Sequence, residues 1–573
     1  MDKKSLPLVI LCVLLILLWE PVVSVFRPPR LLPKPASTNQ VTVATLPAAT
    51  TIPSPGDPSP GTGILAQLAP EAEAVQQTKV LQNEDLSVEF TPAGGAIRRV
   101  TLKQYLENGL GPVPLNHQSP LPCLAVAVGD VPLMARYDLS ENSNQMRAEH
   151  ASPSGLRVSK EFTLQPDHRL QAKVTLQNTG PSNLLSQTLR VGLGMANPLN
   201  PKDTPEYIGI TTFLAGGVKH DYLAALQKEV AGQKGPAERG QGVIWAAVKN
   251  QYFVLLTTPE TPFASLLAQP YELPLAVEAK GAKKQHGILA LMTSTPFDLS
   301  SGASTNWTFS LYAGPMEYKK LVALKEKQSD VLDYGIFAIF SKALLWFMEI
   351  FFRAFGNWGV AIICVTVVIK IIFWPLTAMS TRSMKQMQAL APKINELKEK
   401  YRDDPKRVGP ETMKLYREYR INPMAGCLPM LIQIPILIGF FWMLRTAVEL
   451  RGASFLWIRD LSLPDTVARI PGLDFPINPI PLIMAVTMIW QTKITPQPPN
   501  QDPAMRMMMW LMPAMFLFFC YNFSSGLSLY WTAQNLLTIL QTYMTKDKPV
   551  EPPQRTRPKS AFTFSRPLAS QKR

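Results

Sequence analysis

One ammonium interrupts a stretch that is otherwise apolar. Residues 359–376 run Gly-Val-Ala-Ile-Ile-Cys-Val-Thr-Val-Val-Ile-Lys-Ile-Ile-Phe-Trp-Pro-Leu, 18 positions with one charge, Lys370. Such a run is long enough to cross most of a bilayer. A lysine there costs roughly 2.5–3.5 kcal/mol on insertion scales, which makes it a functional position by default. Thr366 lies one helical turn earlier on the same face. Polar groups recur in other apolar stretches. Gln433 sits between Pro429 and Pro435, and Thr487 and Gln491 share a later stretch. The last carries Thr532, Gln534, Asn535, Thr538 and Gln541, with Asn535, Thr538 and Thr542 on one face. Each alone reads as an interhelical hydrogen bond worth about 0.6 kcal/mol. Lys370 alone, roughly 10 Å from its helix end, reads as a snorkelling side chain. Together, over four segments with one charge, they predict the lining of a water-containing hollow.

That hollow has a use without covalent chemistry. A nascent hydrophobic segment must carry a polar flank across the bilayer. A solvated groove would receive the flank, and its ammonium would favour acidic residues on the moving segment. The apolar part would leave sideways into lipid, driven by about 25 cal/mol per Å² of buried apolar surface. The chain shows no P-loop, no GxGxxG and no Ser/His/Asp arrangement. Of the five cysteines, Cys12, Cys364, Cys427 and Cys520 lie in apolar stretches and only Cys123 in the soluble region. No CxxC or Cys/His grouping suggests a metal. Neither an enzyme nor a cofactor is expected.

Five stretches must position these groups: roughly 358–377, 428–448, 479–495, 507–522 and 524–544. Prolines at 375, 429, 435, 481 and 513 fall in or beside them, which membrane helices tolerate when neighbours rescue the freed backbone groups. Residues 333–355 are apolar and aromatic but interrupted by Lys342, Glu349 and Arg353. They predict a helix lying along the membrane surface. Residues 6–18 are apolar after a basic start, and no small-x-small cleavage site follows, so 1–27 read as an uncleaved anchor. Residues 28–78 form a linker, with ten prolines before position 78.

Residues 79–318 alternate in short runs with turn signals. Leu-Arg-Val-Ser-Lys-Glu-Phe-Thr-Leu at 156–164 and Leu-Gln-Ala-Lys-Val-Thr-Leu-Gln-Asn at 170–178 flank Gln-Pro-Asp-His, which predicts a hairpin. The region reads as one large antiparallel sandwich. Residues 319–356 link it to the helices, beginning with a polar helix over 316–328. Residues 380–422 carry eleven Lys/Arg and six Asp/Glu, with Met384, Met387, Leu390, Ile394, Leu397 and Tyr401 at helical spacing. They predict a helical hairpin whose Met-rich stripe and basic face offer an adaptable partner surface. The tail 546–573 has eight Lys/Arg against two acids. The net charge of +15 flanks apolar segments, so it reads as membrane orientation, not DNA binding. With six spans and an inside N-terminus, the hairpin and tail face the cytoplasm. The tail would touch anionic lipid or ribosomal RNA.

The residues resemble the YidC/Oxa/Albino family of membrane-protein insertases, in its Gram-negative form. The resemblance rests on Gly-Asn-Trp-Gly at 356–359, the charged run ending Trp-Pro-Leu-Thr at 374–377, and Met384-x-x-Met387 with Leu390-x-Pro-Lys393. It continues in Asn-Pro-Met-Ala-Gly-Cys-Leu-Pro at 422–429, Leu-Ile-Gln-Ile-Pro at 431–435, Phe-Leu-Trp-Ile-Arg-Asp-Leu at 455–461 and Ser-Gly-Leu-Ser-Leu-Tyr-Trp at 525–531. It covers 333–545 in order and spacing, with the β region matching in architecture. It implies a membrane protein: an α-helical bundle of five core helices (357–545) plus the N-terminal transmembrane anchor, a periplasmic all-β supersandwich and a cytoplasmic helical hairpin. It implies a groove open to cytoplasm and lipid and closed outside. Lys370, Thr366, Gln433, Asn535, Tyr530 and Trp531 would contact clients, and Met384, Met387, Leu390 and Lys393 would recruit partners. The family's groove charge is usually Arg, so Lys370 keeps the charge and loses the bidentate fork.

The implied function is insertion, folding and assembly of nascent membrane proteins in the inner membrane. The implied partners are the Sec translocon, its SecDF complex, ribosomes, signal recognition components and lipids. Two other readings stay open from residues alone. One is a small-solute transporter with an anion site at Lys370, although no internal repeat is visible. The other is an envelope-assembly protein acting through its β domain.

Overall fold

The computed structural model describes residues 78–107, 111–199, 205–233, 236–240, 242–273, 284–419, 421–422, 428–472, 475–495 and 503–546. The predicted anchor, the linker up to 77, the tail from 547 and most of the 422–429 motif lie outside these residues. The rest forms two compact units, with the boundary between Asp333 and Tyr334 and with Thr446–Glu449 grouped with the first.

The first unit is built from alternation. Leu156–Leu164 and Arg169–Asn178 bury every second side chain, so one face of each must be covered. They pair antiparallel with Leu164 opposite Leu170. The turn between them takes Asp167 and His168 to φ of 58° and 62°, a left-handed pair that Asp and His tolerate better than branched residues. This is the predicted hairpin. It lies within a nine-stranded antiparallel sheet that runs from Gly217–Tyr222 at one edge to Asp138–Asn142 at the other. A five-stranded sheet, centred on His286–Thr293, and a four-stranded sheet from Lys79–Gln82 to Gly111–Leu115 complete the strands around one shared core. Among the described residues two α-helices belong to this unit, α1 (Leu223–Gln233) and α2 (Tyr318–Ala323). The polar helix predicted over 316–328 is only six residues long. Lys325, Glu326 and Lys327 all have positive φ, which ends it.

The second unit contains α3 (Ala338–Phe355), α4 (Trp358–Ile372), α5 (Trp374–Ala389), α6 (Ala391–Lys400), α7 (Pro405–Glu418), α8 (Leu428–Thr446), α9 (Pro479–Ile494), α10 (Pro503–Cys520) and α11 (Ser525–Lys546). Among the described residues only Gly335–Phe355 is by itself long and apolar enough to cross a bilayer. Its apolar residues outnumber Lys342, Glu349 and Arg353 heavily enough to meet that criterion, although the charge interruptions predicted a surface helix. Helices α4 and α5 meet it together but are bent by 59° where Phe373 separates them. Pro375 occupies the first turn of α5, where its missing N–H is harmless. Helices also occupy the other four predicted stretches, and none of them by itself meets the combined test of length and hydropathy over its described residues.

The loop between α8 and α9 is tied to helix starts. Asn357 caps α4, accepting from Gly359 N at 2.9 Å and Val360 N at 3.2 Å, and donates to the Ser454 carbonyl at 3.1 Å. Gly359 is needed because a Cβ there would lie 2.2 Å from the Phe455 ring. The backbone N–H groups of Ser525 and Gly526, opening α11, donate to Leu463 and Leu461 carbonyls. The buried carboxylate of Asp465 accepts from Ile480 N at 2.7 Å and Trp457 Nε1 at 3.2 Å. Burial raises its pKa.

Candidate functional site

Helix α11 is the middle of the polar arrangement. Lys370, on α4 and 7% exposed, donates from Nζ to Thr538 Oγ1 at 2.8 Å. The Thr538 hydroxyl donates in turn to the Gln534 carbonyl at 2.7 Å. Three residues earlier on α11, Asn535 donates to Thr487 Oγ1 on α9 at 3.1 Å and more weakly to the Met484 carbonyl. Two polar links thus join α11 to α4 and to α9. Both belong to the α11 face shared by Asn535 and Thr538.

Thr366 is fully buried, but its hydroxyl donates to the Ile362 carbonyl at 2.6 Å, one turn back on its own helix. Thr487 and Thr532 do the same within α9 and α11. Threonine in an apolar helix can satisfy itself, so spacing alone overstates its part in a site. Other groups are not satisfied. Gln491 Oε1, Ser528 Oγ and Gln534 Oε1 are buried without a hydrogen-bond partner among the described residues. Buried polar atoms of that kind call for water or a ligand group.

Tyr530 and Trp531 point to different surroundings. Tyr530 is 1% exposed and stacks on Phe440 of α8, centroids 4.2 Å apart and planes 18° from parallel. The Gln433 amide lies beside its hydroxyl. Trp531 packs on Phe516 of α10 at 4.6 Å and lines an apolar cleft of about 370 Å³ between α8, α10 and α11. The structure therefore brings Lys370 to Thr538, Asn535 to Thr487 and Gln433 to Tyr530, and sets Trp531 on a separate apolar wall. Thr538 as the acceptor for Lys370 was visible only as one polar residue among several on its helix. The stacking of Phe440 on Tyr530 had no signal in spacing.

In the cytoplasmic-hairpin candidate, Met387 and Leu390 do not face outward. They are 4% and 2% exposed and form a small core with Ile394, Tyr416, Tyr419 and Ile421. A hairpin of two short helices must bury its own stripe before it can offer one. Met384 is half-buried against this core. Lys393 is exposed, with its ammonium on the Tyr419 hydroxyl and 4.5 Å from the ring centroid. No group of three or more His, Cys, Asp or Glu that could hold a metal occurs among the described residues.

A family model described as 60Kd inner membrane protein matches residues 350–551, and one described as YidC periplasmic domain matches 79–347. The membrane protein insertase YidC of Syntrophobacter fumaroxidans is 36% identical over 406 residues, 68% of each chain. That of Syntrophus aciditrophicus is 30% identical over 575 residues, 95% of this chain and 99% of the other. That of Geobacter sulfurreducens is 32% identical over 479 residues, covering 80% and 84%.

Proposed function

This chain belongs to the YidC family of membrane protein insertases, inner-membrane proteins with a periplasmic β-rich domain, and from that premise we propose how it receives a client. Its clients are nascent membrane proteins. The polar flank of a client enters a hydrated groove lined by Lys370, Thr366, Gln433, Asn535 and Tyr530, with Thr538 as the resting partner of Lys370. The observation that carries this reading is the Lys370–Thr538 hydrogen bond in a helix unit that also holds unpartnered buried oxygens. A neutral hydroxyl is a weak partner for an ammonium. An incoming carboxylate replaces it at a net gain, which orients an acidic flank without trapping it. The apolar part of the client meets Trp531 and leaves toward lipid.

The core is a five-helix bundle over 357–545, preceded by the anchor at 1–27 and the linker to 78. Residues 79–318 make up the β domain, 319–356 the connecting helices, and 546–573 a basic tail. Both termini and the hairpin at 380–422 lie in the cytoplasm, following the positive-inside rule. The hairpin recruits ribosomes and signal recognition components through its basic exterior, Lys393 included, with Met384 as its adaptable apolar edge and Met387 and Leu390 holding its shape. The Sec translocon and SecDF are partners for longer clients. Family membership gives no support to the solute-transporter reading.

Photocrosslinking tests the groove. Probes placed at 366, 433 and 531 should all label a stalled nascent chain, with 366 and 433 favouring its polar flank and 531 its apolar segment. Labelling from 531 alone would remove Lys370 from the client path.

A further inference from the structure

A short ribbon in the loop between α8 and α9 has one apolar face. Ala468–Ile470 and Phe475–Ile477 pair antiparallel, with Ala468 opposite Ile477, Arg469 opposite Pro476 and Ile470 opposite Phe475. Opposed residues share a face and neighbours along a strand alternate. Ala468, Ile470, Phe475 and Ile477 therefore form one side of the ribbon, and Arg469 and Pro476 the other. On the apolar side Ile470 and Phe475 remain 41% and 44% exposed. A two-stranded ribbon is marginally stable in water by itself, and among the described residues no third strand joins this one. Its attachments are to helix ends. Phe475 stacks on Tyr521, centroids 5.2 Å apart and planes 26° from parallel. The Tyr521 hydroxyl donates to the Pro476 carbonyl at 2.6 Å, and the Asn478 amide donates to the Tyr521 carbonyl at 2.7 Å. Tyr521 directly follows α10 and Asn478 directly precedes α9.

We propose that this ribbon is an interfacial membrane anchor, with its apolar face on the acyl chains just beneath the headgroups of the leaflet around the α9 start and the α10 end. Three observations select lipid as the occupant. The first is continuity. Leu482 on the first turns of α9, and Phe518 and Phe519 on the last turn of α10, are exposed apolar side chains beside the two ends to which the ribbon is pinned. Lipid that covers them reaches the level of the ribbon. The second is two-sidedness. An apolar face backed by a face that carries Arg469 is the pattern of an element lying in the interface plane. The third is the aromatic pair of Phe475 and Tyr521 at the helix ends, with the Tyr521 hydroxyl held by a carbonyl, since rings with a polar tip favour the headgroup level. The ribbon edges fix the depth. Open strand edges are not tolerated in hydrocarbon, so the ribbon stays shallow, where water reaches its free N–H and C=O groups. The proposal goes beyond the Lys370 groove and rests on the five-helix reading only in that α9 and α10 span the bilayer.

Depth-dependent quenching tests the proposal on the full chain in vesicles of phosphatidylethanolamine and phosphatidylglycerol. A genetically encoded fluorescent amino acid is placed singly at 470, at 469 on the opposite face, at exposed Leu511 in the middle of α10, and at exposed Lys398 in the basic hairpin. Lipids carry a nitroxide either near the glycerol or near the methyl end of the acyl chain, in both leaflets. The probe at 470 should be quenched mainly by the shallow nitroxide, that at 511 mainly by the deep one, that at 469 weakly and that at 398 not at all. Phe475→Ser should shift the ribbon toward water about fivefold, because less than half of that ring is open to lipid, and Phe475→Leu should keep most of the quenching at 470. Ala468→Glu leaves the Phe475–Tyr521 stack in place, puts a carboxylate on the apolar face and should abolish quenching at 470. Circular dichroism and gel filtration check that each variant is folded. Quenching at 470 no stronger than at 398 while 511 is quenched overturns the anchor and leaves the five-helix reading standing. Loss of quenching at 511 as well removes both. Equal quenching at 469 and 470, or quenching at 470 unchanged by Ala468→Glu, also overturns the anchor. So does a probe at 470 that is shielded from aqueous iodide yet unquenched by either lipid, because a protein surface then covers the ribbon.

Discussion

Replacing Lys370 with methionine keeps the stem and removes the charge. The structure sets what else changes. Among the described residues Nζ makes one hydrogen bond, to Thr538 Oγ1, and the Thr538 proton already goes to the Gln534 carbonyl. Methionine therefore strands no buried donor, and it removes an ammonium that is 7% exposed and makes no ion pair among the described residues. Stability should be unchanged or slightly higher. The client feels the charge instead. A carboxylate about 4 Å from the ammonium gains ~1 kcal/mol in water and ~4 kcal/mol at an effective dielectric near 20. A hydrated groove lies between these limits, and ~2 kcal/mol corresponds to roughly 30-fold in rate. The assay is insertion into proteoliposomes of paired clients that carry Asp or Asn in the translocated flank. Lys370→Met should slow the Asp client about 30-fold and leave the Asn client within about threefold, with Lys370→Arg close to parent. Equal slowing of both clients, or of neither, refutes the electrostatic account.

Further expectations follow from particular contacts. Gly359→Ala drives a Cβ into the Phe455 ring and should weaken docking of the 453–463 loop by about 1–3 kcal/mol, read as faster hydrogen exchange there and reversed by adding Phe455→Ala. Asp465→Asn keeps an acceptor for Ile480 N and Trp457 Nε1 and should be tolerated, whereas Asp465→Ala orphans both donors and should cost about 2–4 kcal/mol by thermal unfolding. Burial lowers the Lys249 pKa to about 8 while its Nζ donates to the Val331 carbonyl at 2.7 Å. The folded β unit therefore binds fewer protons than the unfolded chain between about pH 8 and the ordinary lysine value, and its stability should rise with pH across that window. Pulse proteolysis of the full chain should show that rise, up to about 3 kcal/mol, and Lys249→Met should flatten it. Ile394→Ser should loosen the α6–α7 core and expose both helices to protease, an effect that Lys398→Ser on the solvent face should not share.

Element type was legible where one period dominated. The alternation at 156–164 and 169–178 admits only a half-buried strand, and Pro166-Asp167-His168 between them is turn chemistry. Legibility failed where a decision lay outside the local pattern. The apolar segment at 333–355 reads as a surface helix from its charges and as a span from its length and hydropathy. The Met387–Leu390 stripe has the same spacing whether it faces a partner or its own hairpin, and the return helix with Tyr416 and Tyr419 decides for the hairpin.

The motifs from 356 to 531 carried the resemblance to the insertases, and the one charge in the 359–376 run marked a functional position, because a lysine within an apolar run is costly. Composition and spacing also separated the β unit from the helices. Which polar residues meet was decided only in three dimensions. Thr366 turned to the Ile362 carbonyl on its own helix, Thr538 took Lys370, Asn535 went to α9, and Trp531 faced an apolar slot between α8 and α10. The reason is that helical spacing defines a face, whereas a hydrogen bond between helices depends on the rotation and depth at which two faces pack.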